Sequence, residues 1–254
     1  MKGRNFACSD LHGQLDLWIQ IKQYLKPEDN LYFLGDAIDR GPYGFCIMQD
    51  ILNRPNTIYF IGNHEDMMHN AIVEQIHFDE RGILKEGAMD LWFWNGGRST
   101  YKEILESNIS FDTIISQVKD MAYFHVYKTE DKNIILSHAG MTPYILEKLN
   151  HLDYDVEKDN IIYDNLVWNR THCKDFEWHG SVKDYIVHGH TPVAHFDDDW
   201  KAQNNQYAKY YCKGLDNNYH KVDIDLGAHF SYSTCLFNLD TFKVEQYFYS
   251  KERE

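Results

Sequence analysis

The hydrophobic positions of this chain fall into short apolar runs, and each run ends in a polar or charged loop. The clearest run covers Leu31 to Gly35, and the loop after it holds Asp36, Asp39 and Arg40. Such a run, bounded by turn-forming residues, is typical of a short buried strand. A carboxylate at the end of a buried strand is costly to leave unpaired. We therefore expect Asp36 to have a strong partner, and a metal ion is the strongest available.

Two further runs have the same form, one on each side of the first. The upstream run ends in Asp10-Leu11-His12-Gly13, and the downstream run ends in Gly62-Asn63-His64-Glu65. Asp10, Asp36 and Asn63 are 26 and 27 residues apart, which is about the length of one strand-helix unit. Right-handed crossovers would bring these strand ends to one edge of a sheet, where open α/β sheets bind their ligands.

The rest of the chain is interpreted in the same way. Apolar residues at helical spacing predict an α-helix after each of the three loops, over residues 14–24, 44–52 and 64–77. Two later apolar runs predict strands that end at His138 and at His188-Gly189-His190. The sequence therefore predicts an α/β fold.

Two segments depart from this alternation. Residues 78–123 predict a helical insertion with helices over 99–106 and 111–123, and we expect its Trp92 and Trp94 to pack rather than to contact substrate. A polar segment over 196–221 is expected to be mostly loop. After it, 222–226 and 234–248 alternate apolar and polar residues around Asp240-Thr241, as an antiparallel hairpin would.

Composition narrows the class of protein. The 254 residues include 25 basic and 39 acidic side chains, and the resulting charge of −14 argues against a general binder of nucleic acid or of anionic membranes. We find no linker-like segment, no apolar signal core before Asp10 and no run of 18 apolar residues, and we therefore expect one domain over 1–254 in a soluble cytoplasmic protein. Five cysteines without a C-x-x-C pair indicate reduced thiols.

The polar residues at the strand ends are candidate metal ligands: Asp10, His12, Asp36, Asn63, His138 and His190. Oxygen and imidazole donors without thiolate suit Mn²⁺, with Fe or Zn²⁺ as alternatives. Six donors are too many for one tetrahedral ion with an open position, but they suit two ions that share a carboxylate, for which Asp36 is central. Two ions roughly 3.5–4 Å apart can hold a bridging hydroxide that attacks phosphorus in line.

The order of these motifs, including Ser137-His138-Ala139-Gly140 and Gly189-His190-Thr191-Pro192, resembles the calcineurin-like metallophosphoesterases. The segments 35–41 and 62–65 resemble the phosphoprotein phosphatase branch, especially its small bacterial and phage serine/threonine phosphatases. The resemblance implies a central β-sandwich flanked by helices. It further implies that phosphoserine or phosphothreonine esters of a phosphoprotein, or a phosphorylated small molecule, are the substrate.

The resemblance also implies a role for each matching position. One ion would lie on Asp10, His12 and Asp36, and the other on Asp36, Asn63, His138 and His190. His64 resembles the general acid that protonates the leaving alkoxide, with Asp39 orienting its imidazole. Arg40 and Arg170 resemble the phosphate clamp, since a guanidinium fork matches two phosphoryl oxygens.

Other interpretations remain open from the residues alone. The three strand-end residues that precede helices could be ordinary helix N-caps. His188 lies two positions from His190 and could compete with it for the ion, although we favour His190. Arg170 could be a solvated surface residue.

Two other functions also remain. A symmetrical diadenosine tetraphosphatase or a phosphodiesterase would use the same metal chemistry, with Trp92 or Trp94 stacking on adenine. A binding protein without turnover is the third hypothesis. The oligomeric state is left open.

Overall fold

The structure is a computed structural model that describes residues 3–81, 87–142, 145, 159–170, 181–195, 209–210 and 220–250. Its strands are β1 (Asn5–Cys8), β2 (Asn30–Phe33), β3 (Thr57–Tyr59), β4 (Phe124–Lys128), β5 (Asn133–Ser137), β6 (Asp184–His188), β7 (Lys209–Tyr210), β8 (Lys221–Asp223), β9 (Ser233–Asn238) and β10 (Lys243–Tyr249). Its α-helices are α1 (Leu15–Tyr24), α2 (Gly44–Asn53), α3 (Asn63–Arg81), α4 (Ala88–Trp94), α5 (Arg98–Glu106), α6 (Phe111–Lys119), α7 (Asn160–Val167) and α8 (Ala228–Ser231).

The strands form two mixed five-stranded sheets, ordered β10-β9-β1-β2-β3 and β4-β5-β6-β8-β7. The sheets face each other across a core to which β2 gives Tyr32 and β6 gives Val187. The other face of the first sheet carries Phe6 and Phe33 and packs against the helices. Both faces of these strands are buried, which explains why they appear in the sequence as continuous apolar runs. The predicted α/β class with helices flanking a sandwich is confirmed.

Parallel pairing places the polar loops together. The strands β1, β2 and β3 are parallel neighbours joined through α1 and α2, and β5, β6 and β8 are parallel neighbours in the second sheet. The carboxyl ends of parallel strands meet at one edge. The loops that follow β1, β2, β3, β5 and β6 therefore converge.

The helical insertion contains an element that the sequence did not predict. The helix α4 (Ala88–Trp94) lies before the two helices that the sequence predicts in this insertion, and it packs against α3. The helix α5 packs on α2, where Glu103 accepts hydrogen bonds from the first turn of that helix. The helix α3 runs to Arg81, and α6 ends at Lys119 instead of residue 123.

The end of the chain corrects one prediction and confirms another. The hairpin around Asp240-Thr241 is present as β9 and β10. The segment 222–226 is not part of it, because β8 pairs in parallel with β6 in the opposite sheet, where Val222 enters the inner core. Alternation alone does not identify the partner strand, and it also missed β4. The predicted loop over 196–221 lies mostly outside the described residues, which there comprise only β7, His220 and Lys221.

None of the helices in the described part of the chain is long and apolar enough to cross a bilayer.

Candidate metal centre and catalytic residues

The strand-end loops are held in an unusual backbone conformation. Six non-glycine residues in them have a positive φ between 45° and 72°: Asp10, His12, Asp36, Asp39, Arg40 and His190. Left-handed backbone costs of order 1–3 kcal/mol for such residues and persists where the surroundings enforce it, which is commonly at functional sites. Because the six lie in three loops that meet, the strain is concentrated at this edge of the molecule.

Backbone and side-chain hydrogen bonds fix the loop after β2. The amides of Asp10 and His12 donate to the carbonyls of Gly35 and Asp36 at 3.0 Å, so the first two loops run side by side. From below, the buried Glu65 carboxylate accepts the Asp36 amide at 2.8 Å.

Three more donors complete the coordination of the Glu65 carboxylate: the amides of Ala37 and Gly62 and the hydroxyl of Tyr59. A Cβ on Gly62 would lie 2.2 Å from Oδ1 of Asp36, so the close approach of β3 to this loop requires glycine. The position of Asp36 is thus determined from several sides.

Three histidines at the site share one hydrogen-bonding pattern. Each has one ring nitrogen on a backbone carbonyl: Nδ1 of His12 on Ile38 at 3.0 Å, Nδ1 of His138 on Leu34 at 2.6 Å, and Nε2 of His190 on Trp168 at 3.1 Å. A carbonyl only accepts, so that nitrogen carries the proton, and in a neutral imidazole the other nitrogen presents its lone pair. Metal-ligating histidines are usually oriented in this way. Burial also lowers the pKa of His12 and His190 well below the usual value, which keeps both neutral.

The free nitrogens of two of these histidines face each other. Nε2 of His138 lies 3.1 Å from Nδ1 of His190, and Oδ1 of Asn63 lies 3.1 and 2.8 Å from these two atoms. Oδ1 of Asp36 is 3.6 Å from Nε2 of His138. Lone pairs so close together repel unless a proton or a metal cation lies between them. The donors and their arrangement therefore fit a metal ion at this point.

A second group lies on the other side of the same carboxylate. Nε2 of His12 and Nε2 of His64 lie 3.7 and 3.9 Å from Oδ2 of Asp36. In the described residues, the candidate ligand groups are thus His12–Asp36–His64 and Asp36–His138–His190, and both contain Asp36. This sharing is what a bridging carboxylate requires.

Asp10 belongs to neither group. Both oxygens of its buried carboxylate accept the His190 amide, at 3.1 and 3.2 Å, and burial raises its pKa to about 6. Its assignment to the first ion stays a prediction.

His64 and Asp39 form a buried pair beside these groups. Nδ1 of His64 donates to Oδ2 of Asp39 at 2.7 Å. Burial would lower the pKa of His64, but the carboxylates of Asp36 and Asp39 outweigh it and raise the pKa. The pair therefore has the geometry of an imidazole oriented by a carboxylate.

The two predicted arginines contact different candidate ligands. Nη1 of Arg40 is 2.9 Å from Nε2 of His12, and Nη2 is 3.0 Å from Nε2 of His64. Arg170 is exposed and makes longer contacts, with Nη1 at 3.4 Å from the carbonyl of His190 and 3.5 Å from the hydroxyl of Thr191. Both guanidinium groups thus lie against the candidate ligands. His188 is in neither of the candidate ligand groups of the described residues, and its Nδ1 lies 2.9 Å from the carbonyl of Gly189.

Sequence reasoning missed several residues at the site. His229 lies with Nδ1 3.3 Å from Nη1 of Arg40, and its ring meets that of His12 edge to face. The sequence carried one signal for His229, which is its place three residues after the alternating segment 222–226. Asp223 and Asp225 are fully buried, and burial raises the pKa of both well above the usual value. Two acidic residues inside an apolar strand pattern were the available signal.

Comparison with known proteins assigns the class. The family profile described as calcineurin-like phosphoesterase matches residues 4–230, and the chain therefore belongs to that family. The family consists of hydrolases that depend on two metal ions and act on phosphorylated substrates. All five strand-end motifs lie within the matched range.

Individual relatives refine the comparison. The PP2A-like serine/threonine-protein phosphatase PPG1 of Candida albicans is 27% identical over 175 residues, which cover 64% of this chain and 36% of the relative. This chain thus matches little more than a third of that relative's length.

Two solved structures share the fold. A protein serine/threonine phosphatase from Saccharomyces cerevisiae aligns with a TM-score of 0.58 at 13% identity, covering 100% of this chain and 82% of the other. A putative diadenosine tetraphosphatase aligns with a TM-score of 0.56 at 11% identity, covering 100% and 96%. These two structures show the shared fold, and the family profile and the PPG1 match confirm the resemblance to the phosphoprotein phosphatase branch.

Proposed function

We propose that the protein is a metal-dependent phosphomonoesterase that removes phosphate from phosphoserine and phosphothreonine. The observation that carries the proposal is the buried His64–Asp39 pair, which lies with Arg40 directly against the carboxylate shared by the two candidate ligand groups. A carboxylate-oriented imidazole next to a metal site provides a proton donor where a phosphate ester would bind.

The reaction consumes one water per phosphate released. The bond from phosphorus to the serine or threonine oxygen breaks as a bond from the water oxygen to phosphorus forms, and the products are the alcohol and inorganic phosphate. Two divalent ions, for which we expect Mn²⁺, would be held by the predicted ligands and would supply water activation and charge neutralisation. The ligand residues are Asp10, His12, Asp36, Asn63, His138 and His190.

His64 supplies the leaving group with a proton. A serine or threonine alkoxide is strongly basic, so its departure is slow unless an acid protonates it. Asp39 holds Nδ1 of His64, which leaves Nε2 to carry the transferred proton. Asp39 also stabilises the imidazolium that must be present before transfer. The proton released from water replaces it through solvent.

Arg40 and Arg170 bind the phosphoryl oxygens. The guanidinium of Arg40 directs two N–H groups at nitrogen acceptors, Nε2 of His12 and Nε2 of His64. A dianionic phosphate is a much stronger acceptor, so these N–H groups are expected to turn to it and to free Nε2 of His64 for protonation. Arg170 lies on the side of His190 and would hold the same group from there.

A direct assay tests this function. The purified protein with Mn²⁺ is compared with His64→Asn on phosphoserine and phosphothreonine peptides. We expect the variant to lose about 100-fold or more in kcat, since general acids contribute on the order of 10²–10⁴-fold. His125→Asn is the matched control, because His125 lies half-buried on β4 and packs against Tyr32 in the sandwich. Phosphate release no faster than that of His64→Asn would refute the proposal.

Dinucleotide polyphosphate hydrolysis is the alternative that one observation favours. Trp94 is 90% exposed and lies two residues before Gly96, whose carbonyl accepts the Arg40 amide at 3.1 Å. An exposed indole near the site could stack on adenine. Trp92 is fully buried and cannot do so.

A substrate comparison separates the two functions. Turnover of diadenosine tetraphosphate, a cyclic nucleotide and a phosphopeptide is measured side by side for the native protein and for Trp94→Ala. We expect the native protein to prefer the phosphopeptide, and we expect Trp94→Ala to leave the KM for the phosphopeptide unchanged. A preference for diadenosine tetraphosphate, with a KM that rises in Trp94→Ala, would support the alternative instead.

A further inference from the structure

The helical insertion contacts the Asp39 carboxylate directly. Nε1 of Trp92, on α4, donates to Oδ2 of Asp39 at 2.9 Å and to Oδ1 at 3.1 Å. The indole N–H is therefore shared between the two carboxylate oxygens, while Nδ1 of His64 donates to Oδ2 at 2.7 Å. Trp92, Asp39 and His64 form one continuous buried chain of hydrogen bonds.

Trp92 is fixed in this position by its packing. Its side chain is fully buried, and the ring lies against Phe93 and Tyr101 with centroid distances of 5.8 and 5.9 Å. A Cβ on Gly97 would lie 2.4 Å from Nε1 of Trp92, so the backbone closes over the indole where only glycine fits. The indole has no room to turn its N–H away from Asp39.

The same insertion holds the backbone on either side of the carboxylate. The hydroxyl of Thr100, on α5, accepts the amide of Asp39 at 2.9 Å, and the carbonyl of Gly96 accepts the amide of Arg40 at 3.1 Å. Ser99 donates to the carbonyl of Gly41 at 2.8 Å. These bonds stabilise the left-handed backbone of the loop.

We propose that Trp92 is a positioning residue for phosphate ester hydrolysis, because its indole N–H fixes the rotation of the Asp39 carboxylate and thereby the orientation of the His64 imidazole. The terminal torsion of an aspartate is broad, so a carboxylate held by the imidazole alone samples a range of rotations. The indole removes this freedom. The inference rests on the proposed function, since orientation matters only if His64 delivers a proton.

The proposal predicts a selective defect. A serine alkoxide needs the proton of His64 to leave, whereas p-nitrophenolate is a stable anion that leaves without it. Loss of the Trp92 hydrogen bond should therefore slow the hydrolysis of a phosphoserine peptide and spare that of p-nitrophenyl phosphate. A merely structural defect would reduce both rates by the same factor.

Trp92→Phe is compared with Trp18→Phe on these two substrates with Mn²⁺. Trp18 is a matched control, because it is also fully buried and its Nε1 donates to Asp50 at 3.1 Å in another part of the molecule. We expect Trp92→Phe to lose about tenfold in kcat on the phosphopeptide, with an unchanged KM and a change of less than about twofold on p-nitrophenyl phosphate. Trp18→Phe should change neither rate by more than about twofold.

A second variant and a double variant complete the test. Gly97→Ala displaces the indole while residue 92 remains tryptophan, and it should show the same selectivity between the two substrates. This variant keeps the test valid if Trp92→Phe does not fold. In a His64→Asn background, Trp92→Phe should cause no further loss, because it acts through His64. Equal losses on both substrates, or a further loss in that background, would overturn the inference while wild-type activity upholds the proposed function. A wild-type protein inactive on both substrates would overturn both.

Discussion

The strand β2 carries a buried carboxylate at each end, and the two are treated in opposite ways. Asp29 precedes the strand and accepts hydrogen bonds from the guanidinium of Arg4 at 2.7 and 3.2 Å and from the amides of Arg4 and Lys26 at 3.0 and 2.9 Å. Asp36 follows the strand and accepts the amide of His64 at 3.0 Å, while the imidazoles around it stand 3.6–3.9 Å away.

The difference separates a structural carboxylate from a ligand. The Asp29 carboxylate is neutralised within the chain, so it has nothing left to bind. Asp36 is positioned as tightly, through Glu65 and Gly62, but in the described residues its nearest cationic or imidazole groups do not reach hydrogen-bonding distance. The ligand atoms of a cation site must lack strong hydrogen-bond partners within the protein. Such atoms persist in a buried, strained loop only where the surrounding structure holds the loop in place.

Replacement of each carboxylate by its amide should give the largest difference in activity between the two ends of β2. We expect Asp36→Asn to lower kcat by about a thousandfold or more, because it weakens both ion sites at once. Asp29→Asn should leave kcat within about twofold. Phosphatase assays at saturating Mn²⁺ on both variants measure this, and comparable activity in the two would contradict the distinction.

Addition of Mn²⁺ should stabilise the folded protein, and this effect should depend on Asp36 and not on Asp29. With Mn²⁺ at about 100 times its Kd, the free energy of unfolding should rise by about 2.7 kcal/mol and Tm by roughly 5–10 °C. Differential scanning fluorimetry with and without EDTA detects the shift. It should persist in Asp29→Asn and disappear in Asp36→Asn, and a shift of equal size in both variants would place the metal elsewhere.

Conservative changes of the arginines at the two ends of β2 should differ in their effect on catalysis. Arg40→Lys keeps the charge but loses the planar fork, so we expect kcat/KM on a phosphopeptide to fall about tenfold. Arg4→Lys should leave kcat/KM unchanged, because Arg4 contacts Asp29, Glu245 and two aromatic rings, none of which belongs to the candidate site. Steady-state kinetics on the two variants decide the matter, and the assignment of Arg40 fails if both retain wild-type kcat/KM.

The smallest expected effect is the pH dependence of stability at Asp29. Burial would raise the pKa of Asp29, but the hydrogen bonds from Arg4 outweigh it and lower the pKa to about 2. A lowered folded-state pKa contributes stability above the unfolded value and loses it as the pH falls toward 2. Since Arg4 is partly exposed, Asp29→Asn should cost about 1 kcal/mol at pH 6 and less at pH 3. Urea unfolding at both pH values measures this, and a cost that grows on acidification would contradict it.

The sequence predicted the positions of most strand ends correctly, because their chemistry is local. An apolar run followed by a charged loop marks the end of a buried strand, and parallel crossovers bring such ends together without further information. Asp36, Asn63, His138 and His190 converge for this reason. His12 follows because it stands in the same loop as Asp10, and His64 follows because it stands next to Asn63 in the first turn of α3.

The features that the sequence did not predict depend on tertiary contacts. Trp92 looks like an ordinary packing residue until α4 places its indole on Asp39, and His229 reaches Arg40 only because the chain returns from the second sheet to the first between β8 and β9. The partner of β8 was mistaken for a similar reason, since alternation marks a strand without naming its neighbour. Periodicity within one element cannot supply any of these relationships.

The most direct test of two metal ions sharing the Asp36 carboxylate is a crystal of the Mn²⁺-loaded protein, measured for anomalous scattering at the manganese absorption edge. We expect two adjacent peaks, one beside His12 and Asp36 and the other beside Asn63, His138 and His190, with Asp36 in contact with both. A single peak away from Asp36, or no peak beside these residues at millimolar Mn²⁺, would contradict it.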